Sequence, residues 1–213
     1  MKIELILEMA LFFLILFGYF IGSITSGLII GRIAGVGDVR KYGSGKTGFT
    51  NSLRAMGLKW SLFVLTADIF KGVIPVIIGS VFLDNDWAAA LGGIATVVGH
   101  NWPIFANFKG GRGVATVFGS FLTILIINSQ WIMLIPIAIL CIFIITIFRY
   151  VSLMSVLGVF AGFCVICILA MQNIIADSYF VFGLISMLII EIKHVGNMKR
   201  LILGMEPKIG EGK

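Results

Sequence analysis

Charge is scarce in this sequence. Of its 213 residues only 12% are Asp, Glu, Lys or Arg, about half the ~25% of a soluble domain. Against that, 59% are hydrophobic and the mean hydropathy is +1.09. A water-soluble fold is thereby excluded, and the chain reads as an integral membrane protein. Cysteine is scarce too. Cys141, Cys164 and Cys167 all lie inside apolar runs. The last two form C-x-x-C, but no second ligand pair accompanies them, so they read as packing rather than a metal or redox centre. Histidine occurs only at 100 and 194. No Ser/His/Asp or cysteine nucleophile arrangement is evident, no soluble domain interrupts the chain, and no repeat is seen. The net charge of +6 does not indicate nucleic acid here, because topology and anionic lipid account for it in a membrane protein.

What the chain has in abundance is apolar length and glycine, the latter at 26 positions and suited to close helix packing in a bilayer. A spanning helix needs about 20 apolar residues. Runs of that kind fall at 9–30, 60–83, 87–104, 114–127, 130–148, 151–176 and 179–190. The fourth is short unless it starts within the loop before it, and the last is short unless it continues through Glu191 and Lys193. The first shows no clear cleavage site and is taken as a retained helix. The fold class is therefore all-α, a polytopic membrane protein of seven transmembrane helices with re-entrant glycine-rich cytoplasmic loops. Residues 1–203 form one membrane domain and 204–213 a short cytoplasmic tail.

Lysine and arginine fix the orientation. Arg32, Arg40, Lys41, Lys46, Arg54 and Lys59 follow the first run, Lys109 and Arg112 the third, and Arg149 the fifth. Lys193, Lys199, Arg200, Lys208 and Lys213 follow the seventh. Lys2 alone falls on the other side, whose loops carry Asp84, Asp86 and Asp177. The positive-inside rule puts the N-terminus outside and the C-terminus in the cytoplasm.

Every unusual motif lies on that cytoplasmic side. At 99–116 the chain reads Gly-His-Asn-Trp-Pro-Ile-Phe-Ala-Asn-Phe-Lys-Gly-Gly-Arg-Gly-Val-Ala-Thr. Lys109 and Arg112 stand around Gly110, Gly111 and Gly113, a backbone able to turn N–H groups towards an anion ahead of a helix N-terminus. Pro103 breaks the helix, and His100 could orient or deprotonate a hydroxyl. A plain topology-setting loop is the competing reading. At 43–51, Gly-Ser-Gly-Lys-Thr-Gly-Phe-Thr-Asn precedes Arg54. Its Gly-Lys-Thr is not a nucleotide P-loop, which requires glycine where Arg40 stands. A glycine-spaced turn with hydroxyls, an amide and an arginine can still bind phosphate, or it is an ordinary interfacial loop. Ser152 and Ser155 open the sixth run, as phosphate donors or as plain caps. His194 and Asn197 share a face if the last helix extends. Asp68 and Lys71, three apart within the second run, read as a structural ion pair.

Taken together, Gly-Ser-Gly-x-x-Gly-x-Thr-Asn at 43–51, Gly-His at 99–100, Phe-Lys-Gly-Gly-x-Gly-Val-Ala-Thr at 108–116 and His-x-x-Asn at 194–197 resemble the bacterial acyl-phosphate:glycerol-3-phosphate acyltransferases of the PlsY type. The resemblance runs from the first helix to about residue 203, and Asp68-x-x-Lys71-Gly72 is similar as well. It implies a seven-helix enzyme of the cell membrane that moves a fatty acyl group from acyl-phosphate to the 1-hydroxyl of glycerol 3-phosphate. The products are lysophosphatidic acid and phosphate, and the enzyme needs no metal or other cofactor. Its partners would be those two substrates, membrane lipids and the enzyme that makes acyl-phosphate. By motif, His100, Lys109 and His194 would be catalytic. Ser44, Thr50, Asn51, Arg54, Gly110, Gly111, Arg112, Ser152 and Asn197 would bind substrate. The chain departs from the family pattern at Lys46 (usually Asn), Phe49 (usually Ala) and Arg112 (usually Lys), the last keeping a cation with a planar fork suited to phosphate. A transporter for an organic anion would share broken helices and glycine-rich loops. Charges gathered on one face and the lack of an inverted repeat weigh against it.

Overall fold

A computed structural model describes residues 2–209. Residues 210–213 of the expected tail, Lys213 included, lie outside them. Among the described residues the regular structure is helical. It comprises α1 (Lys2–Ser23), α2 (Ser26–Ile33), α3 (Phe49–Ile77), α4 (Asp86–Asn101), α5 (Val114–Ile127), α6 (Leu134–Ile147), α7 (Val151–Met171) and α8 (Asp177–Ile202). α1 and α2 make one apolar segment, Glu4–Ile33, so these helices form the seven hydrophobic segments expected from the sequence.

The boundaries follow local chemistry. α3 starts well before the apolar run because Gly57 (φ 76°, ψ 179°) breaks it, separating a polar first helix from the apolar span that follows. Pro75 removes one hydrogen bond near the span's far end, and a single wide turn, Ile78–Phe82, completes it. α4 stops at Asn101, short of the expected 104, since Pro103 cannot continue it. α7 stops at Met171, five residues earlier than the apolar run suggests. Asn173 there takes the left-handed conformation (φ 55°), and the Ile174 N–H donates to the Leu169 carbonyl at 2.9 Å, a Schellman-type stop. α8 does run on through Glu191 and Lys193 to Ile202, with Lys199 and Arg200 in its last turn where cations favour the helix dipole.

The chain forms two compact units, 1–124 and 125–213. In the first, α1 packs along α4 and α3 against both α4 and α2. The α1–α4 seam brings backbones together. A Cβ on Gly22 would strike the Thr96 carbonyl, and one on Gly99 the Tyr19 carbonyl. The Tyr19 hydroxyl also donates to the Trp102 carbonyl at 3.1 Å. α5 meets α3 the same way, with the Ser120 hydroxyl donating to the Gly72 carbonyl at 3.0 Å. In the second unit α7 packs on α6 and α8, around Ile166, Phe182 and Ile190. Buried positions of the first unit are rich in Ala, Ser and Thr, while Phe12, Phe63, Ile139 and Ile142 are exposed. That inversion of the soluble pattern is what a lipid-facing surface requires.

Candidate active site

In the first unit two loops carry the sequence motifs. The loop at 42–48 is built around Asn51, 2% exposed. Its Oδ1 accepts from the Ser44 N–H at 2.8 Å and the Ser44 hydroxyl at 3.3 Å, and its Nδ2 donates to the Val39 and Lys46 carbonyls, both at 2.8 Å. Asn51 therefore spends its amide on shaping the loop. Gly43 (φ 49°) lies against both Asn51 Oδ1 and the Arg54 side chain, leaving no room for a Cβ. Ser44 and Arg54 are exposed and Thr50 is half-buried in the first turn of α3.

The second loop follows α4. Asn107 (φ 53°) and Phe108 (φ 57°) are both left-handed, an uncommon pair for residues with side chains. The turn is closed by the Phe108 N–H donating to the Pro103 carbonyl at 2.9 Å and the Lys109 N–H to the Ala106 carbonyl at 3.1 Å. It leaves Lys109 exposed and Arg112 half-buried. His100, 5% exposed, is the seat of the loop. Its carbonyl accepts the Gly111 N–H at 3.2 Å. A Cβ on Gly110 would strike that carbonyl, and one on Gly111 would strike the ring at Nε2. On the other side of the ring, Nδ1 lies 3.7 Å from Asp68 Oδ1. That oxygen also accepts from Lys71 Nζ at 2.7 Å and the Ser26 hydroxyl at 2.9 Å. The pair read from sequence as structural thus belongs to a buried cluster with a histidine.

Arg40 ties the two loops together. Its guanidinium holds Asp38 through Nε at 3.0 Å and Nη2 at 2.8 Å, and Nη1 donates to the Ala106 carbonyl at 3.2 Å. The hydrogen bond from Arg40 keeps the Asp38 carboxyl below the usual carboxylate range despite partial burial, and Asp38 in turn raises Arg40. Sequence reasoning used Arg40 as a topology marker and to exclude a nucleotide P-loop, not as a tie between loops.

The second unit holds the remaining motif residues. His194 is 1% exposed, and its Nδ1 lies 2.8 Å from the Ile190 carbonyl. A carbonyl only accepts, so Nδ1 carries a proton and the hydrogen bond fixes the plane of the ring. One turn on, Asn197 Nδ2 donates to Glu206 Oε1 at 2.6 Å, and Arg200 Nε donates to Oε2 at 2.9 Å. Burial pushes Glu206 up. The Asn197 hydrogen bond, the nearby Ser152 hydroxyl and Arg200 outweigh it, and the carboxyl sits below its ordinary value. Ser152 Oγ is itself buried and in full hydrogen-bond geometry with no described group. The segment after α8 is pinned further by Arg149, whose Nη2 donates to the Ile209 carbonyl at 2.6 Å while its own carbonyl accepts the Ile209 N–H at 2.8 Å. Glu206 was missed from sequence. Its signal was a carboxylate just beyond Lys199 and Arg200 in a basic stretch. Among the described residues no group of three or more His, Cys, Asp or Glu side chains forms a metal-ligand set.

Two cations around a glycine turn in the first unit suit an anionic substrate, and comparison with known proteins agrees. The family model for glycerol-3-phosphate acyltransferase matches residues 12–204. The glycerol-3-phosphate acyltransferase of Prochlorococcus marinus (strain NATL1A) is 39% identical over 201 residues, covering 93% of this chain and 98% of that protein. That of Macrococcus caseolyticus (strain JCSC5402) is 39% identical over 196 residues, covering 92% and 95%. The crystal structure of PlsY, an integral membrane glycerol 3-phosphate acyltransferase, in its glycerol 3-phosphate form superposes with a TM-score of 0.83 at 33% identity, covering 94% of this chain and 96% of that one. Its lysophosphatidic acid form gives 0.81 at 31% identity. The chain belongs to the glycerol-3-phosphate acyltransferase family, as a multi-pass membrane acyltransferase.

Proposed function

We propose that this protein transfers a fatty acyl group from acyl-phosphate to the 1-hydroxyl of glycerol 3-phosphate, giving lysophosphatidic acid and inorganic phosphate in the first acylation of bacterial phospholipid synthesis. The observation that carries this reading is the loop from Lys109 to Gly113. It bears two cations, is bent by glycines, and sits on a buried histidine. The hydroxyl oxygen attacks the acyl carbonyl carbon, the carbon–oxygen bond to phosphate breaks, and the hydroxyl proton ends on the released phosphate. An acyl-phosphate is already an activated mixed anhydride, so orientation and charge neutralisation supply most of what catalysis needs. No acyl-enzyme is formed.

In this reading Lys109 and Arg112 neutralise phosphate, and Gly110 and Gly111 let the backbone approach it. Ser44, Thr50 and Arg54 line the polar loop that Asn51 shapes. His194 orients a substrate hydroxyl, and Ser152 and Asn197 hold substrate oxygens. The motif-bearing loops face the cytoplasm, with the N-terminus outside, and the acyl-phosphate comes from a cytoplasm-facing enzyme that makes it. A reporter fused after Lys213 should report cytoplasm.

Purified protein in detergent, given glycerol 3-phosphate and acyl-phosphate alone, should form lysophosphatidate. Equal rates with an acyl thioester as the only donor would overturn the donor assignment. Lys109→Ala should lower kcat/KM by about 100-fold with melting temperature unchanged. His194→Ala should lower it as much per folded molecule, with some loss of melting temperature because the ring is buried. Near-normal turnover would remove either residue from the site.

A further inference from the structure

We infer that Asp68 is a positioning residue for the reaction, acting through His100 on the Lys109–Gly113 loop. The inference rests on the reading of that loop as the phosphate site. Asp68 and Lys71 alone would be a self-sufficient ion pair one turn apart on α3. The structure adds two partners that such a pair does not need. Ser26, from α2, donates to the same carboxylate oxygen, which fixes the direction of the lone pair that faces outward from α3. His100, from the end of α4, turns Nδ1 towards that oxygen. Asp68, Lys71 and His100 are each at most 5% exposed.

The consequence lies on the far side of the ring. With Nδ1 directed at the carboxylate, Nε2 is directed at Gly111, close enough that a Cβ there would collide with it. The His100 carbonyl simultaneously holds the Gly111 N–H. The imidazole is therefore a spacer of fixed thickness between a buried anion and the backbone that carries Lys109 and Arg112. Rotation of the ring would move that backbone. Anchoring by an orienting carboxylate is how imidazoles are held in other sites that need a fixed ring, and small displacements of substrate-holding groups are costly to turnover.

A structural ion pair and a positioning carboxylate make different predictions once the charge is removed cleanly. Asp68→Asn alone strands the buried Lys71 ammonium and can destabilise the fold. The informative variant is Asp68→Asn combined with Lys71→Met, which removes both charges. Its melting temperature should return to within a few degrees of the parent, while kcat/KM for glycerol 3-phosphate stays down by about 100-fold, mostly through KM. Adding His100→Gln to that double variant should cost little more, whereas His100→Gln in the parent should cost about as much as the double variant does. Restoration of both melting temperature and kcat/KM in the double variant would show a purely structural pair and overturn the inference, as would additive losses with His100→Gln. Acyl transfer by the parent protein is measured in the same series. Its absence would bring down the phosphate-site reading itself, which keeps the two failures apart.

Discussion

At the scale of single residues, Gly111 has no room for a side chain. An added methyl would meet the His100 ring, which has Asp68 behind it and cannot retreat. Gly111→Ala should therefore raise KM for glycerol 3-phosphate at least about tenfold while costing about 1–3 kcal/mol from overpacking. A variant with parental KM would show that the loop adapts freely. Asn51 presents the opposite case. Its four hydrogen bonds make Asn51→Ala strand two carbonyls and the Ser44 N–H, at about 3 kcal/mol. That cost is read as a lower melting temperature in detergent. Glu206 gives a pH signature. Its folded-state value is depressed by Asn197 and Arg200 despite burial. It therefore contributes stability above the unfolded carboxylate value of about 4.3, and loses it as pH falls through the lower folded value. Melting curves from about pH 7 down to about pH 3.5 should show a parental decline that Glu206→Gln lacks. Parallel declines would discount the site's contribution.

At the scale of elements, the link between loops is the testable part. Arg40 reaches from Asp38 to the Ala106 carbonyl, so Arg40→Ala should loosen the Lys109 turn. Turnover should fall several-fold with little loss of helix stability, a combination that matched activity and melting assays would reveal. This is also where the limits of sequence reading lie. The seven segments were legible because bilayer thickness sets a length that composition must satisfy. The reach of α8 past Ile190 was left open, because Glu191 and Lys193 resemble an end by hydropathy although they are sound helix formers. The early start of α3 was invisible, since residues 49–56 mix polar and apolar side chains without a continuous apolar stretch and only the φ of Gly57 marks the joint. The loop glycines, Lys109 and both histidines were identified by type and spacing. The contact of Asp68 with His100 was not, because it spans 32 residues of chain (100 − 68) and no local pattern encodes it. Asn51 and Asn197 were read as binding groups from type and spacing alone; their bonds to the 42–48 loop and to Glu206 were not legible in the sequence.

At the scale of the whole molecule, the distribution of charge makes the enzyme one-sided. All lysines and arginines other than Lys2 and Lys71 belong to loops and helix ends assigned to one face by the proposed orientation. Sealed right-side-out vesicles given impermeant glycerol 3-phosphate outside should make no lysophosphatidate until they are permeabilised, and inverted vesicles should make it at once. Equal rates in both would refute the orientation. The seam between α1 and α4 reaches further than packing. The Tyr19 carbonyl packs directly against Gly99 and its hydroxyl donates to the Trp102 carbonyl, so Tyr19 contacts the chain on both sides of His100. In genetic terms, α1 and the loop proposed to hold phosphate should be coupled despite their distance in sequence. Second-site suppressors of a crippled Gly111→Ala strain should arise around residues 19–23, where a slight shift of one helix would lift the histidine away from the intruding methyl.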